Sequence, residues 1–215
     1  MKKILSYIWP VTRKFPSEFN GTLEISYING KKVLDTKNAN YSYGSLQKIL
    51  EIGLTKVNLK SVENLLLLGL GGGSIIQSLR ETFEYQKNII AVEIDPEIIK
   101  LAKDEFGIAS SNTLQIIQAD AFEYVKTSKN KFQLIIIDLF IDTTVPSKFF
   151  KKEFCDNVSK LIEINGELIF NIGVNLEKDT EMATKIIDNF GSHFDFYSLK
   201  KVNGTNHLLI GKKIS

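Results

Sequence analysis

From residue 62 onward the chain alternates short, unbroken apolar runs with stretches of helical spacing, and this alternation restricts its fold more than any other feature. NLLLLGL (64–70), NIIAVEI (88–94), TLQIIQA (113–119), QLIIIDLF (133–140) and GELIFNI (166–172) read as strands that are apolar on both faces. Such strands belong in a sheet covered on both sides. SIIQSLRETF (74–83), the stretch after Asp95-Pro96, AFEYVKT (121–127), Lys148 to Ile162 and residues 176–190 have the spacing of helices laid over that sheet. Asp95-Pro96 marks a helix start, with an acid at the cap and proline in the first turn. Strand–helix alternation of this kind predicts an α/β fold: a Rossmann-like, doubly wound, mostly parallel sheet with right-handed crossovers. Residues 194–200 and 206–212 are expected to add an antiparallel pair at its end.

The first 60 residues differ in character. TLEISYI (22–28) and KKVLDT (31–36) flank Asn29-Gly30, which suits a type I′ turn, so they read as a β-hairpin. SLQKILEIGL (45–54) then reads as a short amphipathic helix. The expected division is a small N-terminal β region with a linking helix over 1–60, and the Rossmann-like domain over 61–215.

Composition narrows the functional classes. A formal net charge of +2 over 215 residues gives no field suited to a nucleic acid. No stretch approaches the roughly 20 apolar residues of a membrane span. MKKILSYIWPV at the N-terminus runs into Pro10, Arg13 and Lys14 without a small-residue cleavage site, so it is not read as a signal peptide. The lone Cys155 has no internal partner and is read as a buried structural thiol. The expectation is a cytoplasmic protein that binds neither nucleic acid nor membrane. His193 and His207 lack metal-ligand spacing and are expected at the surface or at strand ends, with no metal site. Lys148, Lys151 and Lys152 read as a solvated face.

Between the first strand and the first helix, LLLLGLGGGS (65–74) places glycine at 69, 71 and 73. It lacks the lysine of a phosphate loop, and Ser74 stands where the dinucleotide fingerprint needs its last glycine. A tight turn needing positive φ accounts for it, and so does close approach of a ligand. Three acids lie downstream. Glu93 closes the second strand, at the distance where an acid accepts both hydroxyls of a ribose. Asp120 closes the third, placed either to accept from an adenine amino group or to cap the next helix. Asp138 ends the apolar run IIID at the carboxyl edge of the sheet, where a charge is costly unless it is paired or used. A glycine turn facing three carboxylates suits a phosphate-free nucleoside carrying a positive charge, such as an adenosyl sulfonium.

These segments resemble a known family. GLGGGS (69–74), VEIDP (92–96), EFGI (105–108), ADAFEYV (119–125), IIIDLF (135–140), Pro146, EF (153–154) and NGELIFNIG (165–173) are similar to the spermidine synthase family of aminopropyltransferases. Its spermidine-synthase-like branch has a glycine loop that reads GLGGGS. NGKKVLDTKNANYSYGSLQ (29–47) resembles that family's N-terminal β region. The resemblance implies a methyltransferase-like fold and a homodimer. It also implies a co-substrate of the S-adenosylmethionine type, commonly decarboxylated, and a small amine acceptor such as putrescine. By the same resemblance Gly69, Gly71, Gly73, Glu93 and Asp120 hold the donor, and Asp138 matches the first aspartate of the catalytic D-x-x-D. Three positions depart from the family pattern. Gly72 stands where the GGGDGG loop carries the aspartate that holds the donor's amine. The second aspartate of D-x-x-D falls at Ile141, with Asp142 one residue later. The family's tyrosine-glutamine pair reads Tyr43-Gly44, and Gln47, about one helical turn on, is expected to take that glutamine's place in holding the donor.

The chemistry implied is displacement at a carbon bound to sulfonium sulfur, with Asp138 taking the amine's proton and Asp142 helping to bind the cation. Two other readings stay open: an S-adenosylmethionine-dependent methyltransferase, and a nucleoside-binding protein without catalysis. Tyr41, Tyr43 and Phe140 either wall an acceptor channel or pack the N-terminal region on the main domain.

Overall fold

The structure is a computed structural model, and it describes residues 11–28, 30–36, 40–42, 44–142, 144–173, 176–204 and 206–215. Its main body is a seven-stranded sheet built from β5 (Asn64–Leu68), β6 (Asn88–Glu93), β7 (Leu114–Gln118), β8 (Phe132–Ile137), β9 (Ile162–Gly173), β10 (Phe194–Val202) and β11 (Asn206–Lys213). The order across the sheet is β10-β11-β9-β8-β5-β6-β7. The five strands from β9 to β7 run parallel, while β11 and β10 are antiparallel. The expected alternation and terminal antiparallel pair are both present.

Unbroken apolar strands follow from helices on both faces. Leu66, Leu68, Ile135, Ile137, Leu168 and Phe170 point to one side. There they meet α4 (Ala121–Thr127), α5 (Lys152–Leu161) and α6 (Leu176–Phe190). Leu65, Leu67, Leu134, Ile136 and Ile169 point to the other, against α1 (Ser45–Leu54), α2 (Ser74–Glu81) and Ala102 of α3 (Pro96–Phe106). Leu65 to Leu68 are all fully buried, so alternate residues of one run supply both cores. Cys155 is buried in α5, and burial pushes its thiol up to about 12. Among the described residues no helix is long and apolar enough to cross a membrane.

The N-terminal region is more than a hairpin. It forms a four-stranded antiparallel sheet, β1 (Val11–Ser17), β2 (Gly21–Ile28), β3 (Lys31–Asp35) and β4 (Asn40–Ser42). The first strand carries Arg13, Lys14 and Pro16, and it lies at an edge where proline and charge are tolerated. Leu23, Ile25 and Leu34 of this sheet pack on Ile98 and Leu101, so it covers the outer face of α3. Asn29, Tyr43 and the side chain of Tyr41 lie outside the described residues.

Two further expectations change. The helix placed at 148–162 is a 3-10 turn at Ser147–Phe150 followed by α5, because Lys151 is extended and its carbonyl caps the helix by accepting from Phe154 and Cys155. Lys148 is not a free solvated cation but pairs with Asp120. His207 lies near the start of β11, at a strand end, but is fully buried, and neither ring nitrogen has a hydrogen-bond partner among the described residues. Burial, reinforced by Lys200, keeps that ring below its ordinary pKa and therefore neutral. His193 does lie exposed, beside Ser215.

Candidate functional site

The chain leaves β5 toward β6 on one side, while β8 lies against β5 on the other. Open α/β sheets bind ligands at the carboxyl ends of such a strand pair. Two backbone bonds extend the strands into this crevice. Gly69 N donates to Val92 O at 2.9 Å, and Asp138 N donates to Leu68 O at 2.9 Å. Gly69 has φ +94°, and a Cβ there would sit 2.1 Å from the Asp138 carbonyl oxygen. Gly73 has φ +80°, and its Cβ would fall 2.6 Å from the Ile108 side chain. Both positions therefore require glycine for packing as well as for any ligand. Gly71 has φ +52°, and Gly72 is buried between them.

Beneath the turn sits Glu93, with 8% of its surface exposed. Its carboxylate accepts from Leu70 N at 3.1 Å, Gly71 N at 3.4 Å and Asp95 N at 3.0 Å. Burial raises its pKa while these three N–H groups oppose the rise. Asp95 caps α3 by accepting from Glu97 N at 2.9 Å, and it also accepts from Asn20 Nδ2 at 2.7 Å and from the Ser17 hydroxyl. At the other end of α3, Arg13 and Lys32 pair with Glu105 at 2.7 and 2.9 Å. The N-terminal sheet thus grips both ends of the helix that follows Glu93.

Asp120 caps α4, one oxygen accepting from Phe122 N at 2.8 Å and the other from Lys148 Nζ at 2.5 Å. The cap reading of Asp120 is therefore realised, and one of its oxygens faces a cation. Gln47, on α1, donates to Ser78 Oγ at 2.8 Å, a hydroxyl that also lies 2.6 Å from Glu51. It ties α1 to α2, one turn beyond the glycine loop.

Asp138 directly follows β8 and is partly buried. Burial pushes its carboxyl up to about 6, against the effect of a 2.8 Å bond from Asn171 Nδ2. Asn171, fully buried in β9, accepts in turn from Asn206 Nδ2 at 2.9 Å. Asp142 has φ +54°, and its Oδ1 accepts from Thr36 Oγ1 at 2.8 Å, which joins the loop after Asp138 to the N-terminal sheet. Ile141 is half exposed, and Phe140 packs against the core below. Asn171, Asn206 and Thr36 escaped the sequence reading, and Lys148 entered it only as part of a solvated face. Asn171 alone left a signal there, as a polar residue inside GELIFNI. An open groove of about 510 Å³ lies at the opposite, amino edge of the sheet, lined by Asn64, Asn88, Leu114 and Phe132, and includes none of Glu93, Asp120 and Asp138.

The strand order together with an acid-lined carboxyl edge defines the methyltransferase-like class of Rossmann folds. Solved structures agree. Human methyltransferase-like protein 13 in complex with SAH matches with a TM-score of 0.66 at 21% identity, over 80% of this chain and 83% of that one. A probable spermidine synthase from Corynebacterium glutamicum matches with a TM-score of 0.64 at 16% identity, over 95% and 77%. The family model for the spermine/spermidine synthase domain matches residues 49–200, and the chain belongs to that family. A polyamine aminopropyltransferase from Vibrio vulnificus is 29% identical over 138 residues, 62% of this chain and 46% of the relative. The chain spans about half the length of the curated relatives it matches.

Proposed function

We propose that the protein is an aminopropyltransferase-like enzyme of polyamine biosynthesis, which alkylates a small amine such as putrescine with decarboxylated S-adenosylmethionine. The observation that carries this reading is Asp138: a partly buried carboxylate at the crevice, opposite the glycine turn, with a pKa of about 6. An alkyl amine with a pKa near ~10 is protonated at neutral pH and must lose that proton to attack. A carboxylate with a pKa near 6 is ionised at pH 7 and is a stronger base than an ordinary aspartate.

In the proposed step the amine nitrogen forms a bond to the donor carbon, and the carbon–sulfur bond breaks with its electrons going to sulfur. The sulfonium becomes a neutral thioether, and the amine's proton passes to Asp138. Glu93 accepts from the ribose hydroxyls, Asp120 from the adenine amino group, and Gly69, Gly71 and Gly73 let the backbone approach. Asp142, steadied by Thr36, adds negative charge for the cationic acceptor. Gln47 braces α2, the helix that the glycine turn opens. Incubation with decarboxylated donor and putrescine should yield methylthioadenosine and spermidine by mass spectrometry, and absence of methylthioadenosine refutes the proposal. A cytoplasmic homodimer belongs to the same reading, and sedimentation velocity tests its stoichiometry.

One observation favours a second reading. Gly72 is buried and brings no carboxylate to the loop. A donor that retains its own carboxylate meets no repulsion there, as a methyltransferase requires. Tighter calorimetric binding of S-adenosylmethionine than of its decarboxylated form would select this reading over the first.

A further inference from the structure

We propose that Asn206 and Asn171 are positioning residues: two buried amides in series that fix which end of Asn171 meets Asp138. An asparagine amide donates from its nitrogen and accepts at its oxygen. Asn206 Nδ2 donates to Asn171 Oδ1 at 2.9 Å, which commits the oxygen of Asn171 to β11. Its nitrogen is left to face β8, where it donates to Asp138 Oδ1 at 2.8 Å. The reverse orientation of Asn171 would set a carbonyl oxygen against the carboxylate, an arrangement stable only with Asp138 protonated. A residue on β11, two strands away from β8, thus selects the ionised form of the candidate base and its orientation.

Packing alone does not account for these amides. Their neighbours along the strands are Ile169, Phe170 and Ile172 in β9, and Leu208, Leu209 and Ile210 in β11, all buried. Asn171 and Asn206 are themselves 0% and 4% exposed, where an unpaired amide is costly. The register also shifts here: His207 pairs with Gly173 but Leu208 pairs with Asn171, passing over Ile172. Such an irregularity re-aims side chains relative to a regular ladder. The other titratable groups around Asp138 are accounted for separately. Asp142 accepts from Thr36, Glu93 is held by backbone N–H groups, and His207, next to Asn206, is buried and neutral.

The role assigned to Asp138 rests on the proposed activity, but the amide series can be tested without it. The ligand-free protein, labelled with ¹³C at the aspartate carboxyls, is titrated by NMR, and Asp138→Asn identifies the Asp138 resonance by its loss. Asn206→Asp puts an acceptor where Asn171 needs a donor, so Asn171 turns its nitrogen toward β11 and its oxygen toward Asp138. The Asp138 midpoint is expected to rise by about one pH unit or more. Asn206→Leu removes the commitment without imposing the reverse, and a smaller rise in the same direction is expected. It carries the same test should Asn206→Asp not fold. A purely structural role would lower the melting temperature and leave the Asp138 titration in place, and that result in the folded variants overturns the proposal. In the active enzyme, the acid limb of the pH–kcat profile should move with the NMR midpoint. A shifted midpoint in a protein that makes no methylthioadenosine would refute the proposed activity and leave the amide series standing.

Discussion

Glu93 and Asp138 end strands on either side of β5, yet the protein holds the two carboxylates in opposite ways. Burial drives both toward protonation. Three backbone N–H groups hold Glu93, two of them from the glycine turn. Among the described residues, a single side-chain amide holds the Asp138 carboxylate. Backbone donors come with the fold, and among substitutions of a neighbour only proline removes one. Glu93 is therefore suited to a constant task, accepting hydrogen bonds from a bound ligand. A carboxylate held by one amide keeps a proton affinity that its surroundings can set, and that suits proton transfer.

The largest expected effect comes from removing the ionisable group on the tunable side. Asp138→Asn should lower kcat on the order of 10³-fold, while donor affinity measured by calorimetry stays within about threefold. Near-normal turnover in this variant would erase the contrast with Glu93. Stability should move the other way. The folded Asp138 carboxyl has a pKa of about 6, above its ordinary value, so the native state binds its proton more tightly than the unfolded state does. The wild type is then least burdened below about pH 4 and loses stability as pH rises through 6, by about 3 kcal/mol at most. Asp138→Asn removes that dependence, and its melting temperature should exceed the wild type's above pH 6 but not below pH 4.

Glu93→Gln tests the fixed side and should be milder. The shape is kept, but the loss of charge weakens acceptance from two hydroxyls, and donor binding should weaken roughly 10–100-fold. At saturating donor, kcat should stay near the wild-type value, so the change falls on KM. A loss confined to kcat would mean that Glu93 takes part in proton transfer and that the two carboxylates share one role.

How legible this contrast was in the sequence depends on the range of the interaction. Unbroken runs such as LLLL (65–68) and III (135–137) announce strands buried on both faces, and Asp95-Pro96 announces the start of α3. Glu93 and Asp138 stood out because a charge closing an apolar run needs a reason. What holds them was hidden. The N–H groups on Glu93 exist only once the turn folds over it. Asn206 reaches Asn171 across 35 residues of chain, a pairing that no local periodicity encodes. The strand β1 shows charge and proline rather than alternation, and its grip on α3 depends on Glu105 and Asp95, some 80 to 90 residues away. His207 was legible as a residue near a strand end, but nothing in its neighbourhood reveals that it is fully buried there.

The smallest effect is expected at Asp120, which shares features of both sites. A backbone N–H fixes one of its oxygens, as at Glu93, and a side chain, Lys148, engages the other, as at Asp138. An adenine amino group approaching that second oxygen must share it with the ammonium. The side chains of Lys148 and Asp120 are 39% and 29% exposed, so their attraction is screened by water and salt. Lys148→Met should therefore tighten donor binding by no more than about threefold at low ionic strength. The gain over wild type should shrink as salt rises, because salt already weakens the pair in the wild type. Weaker binding in Lys148→Met would reverse the assignment: the lysine would then be a contact for the donor, and Asp120 would serve chiefly to place it.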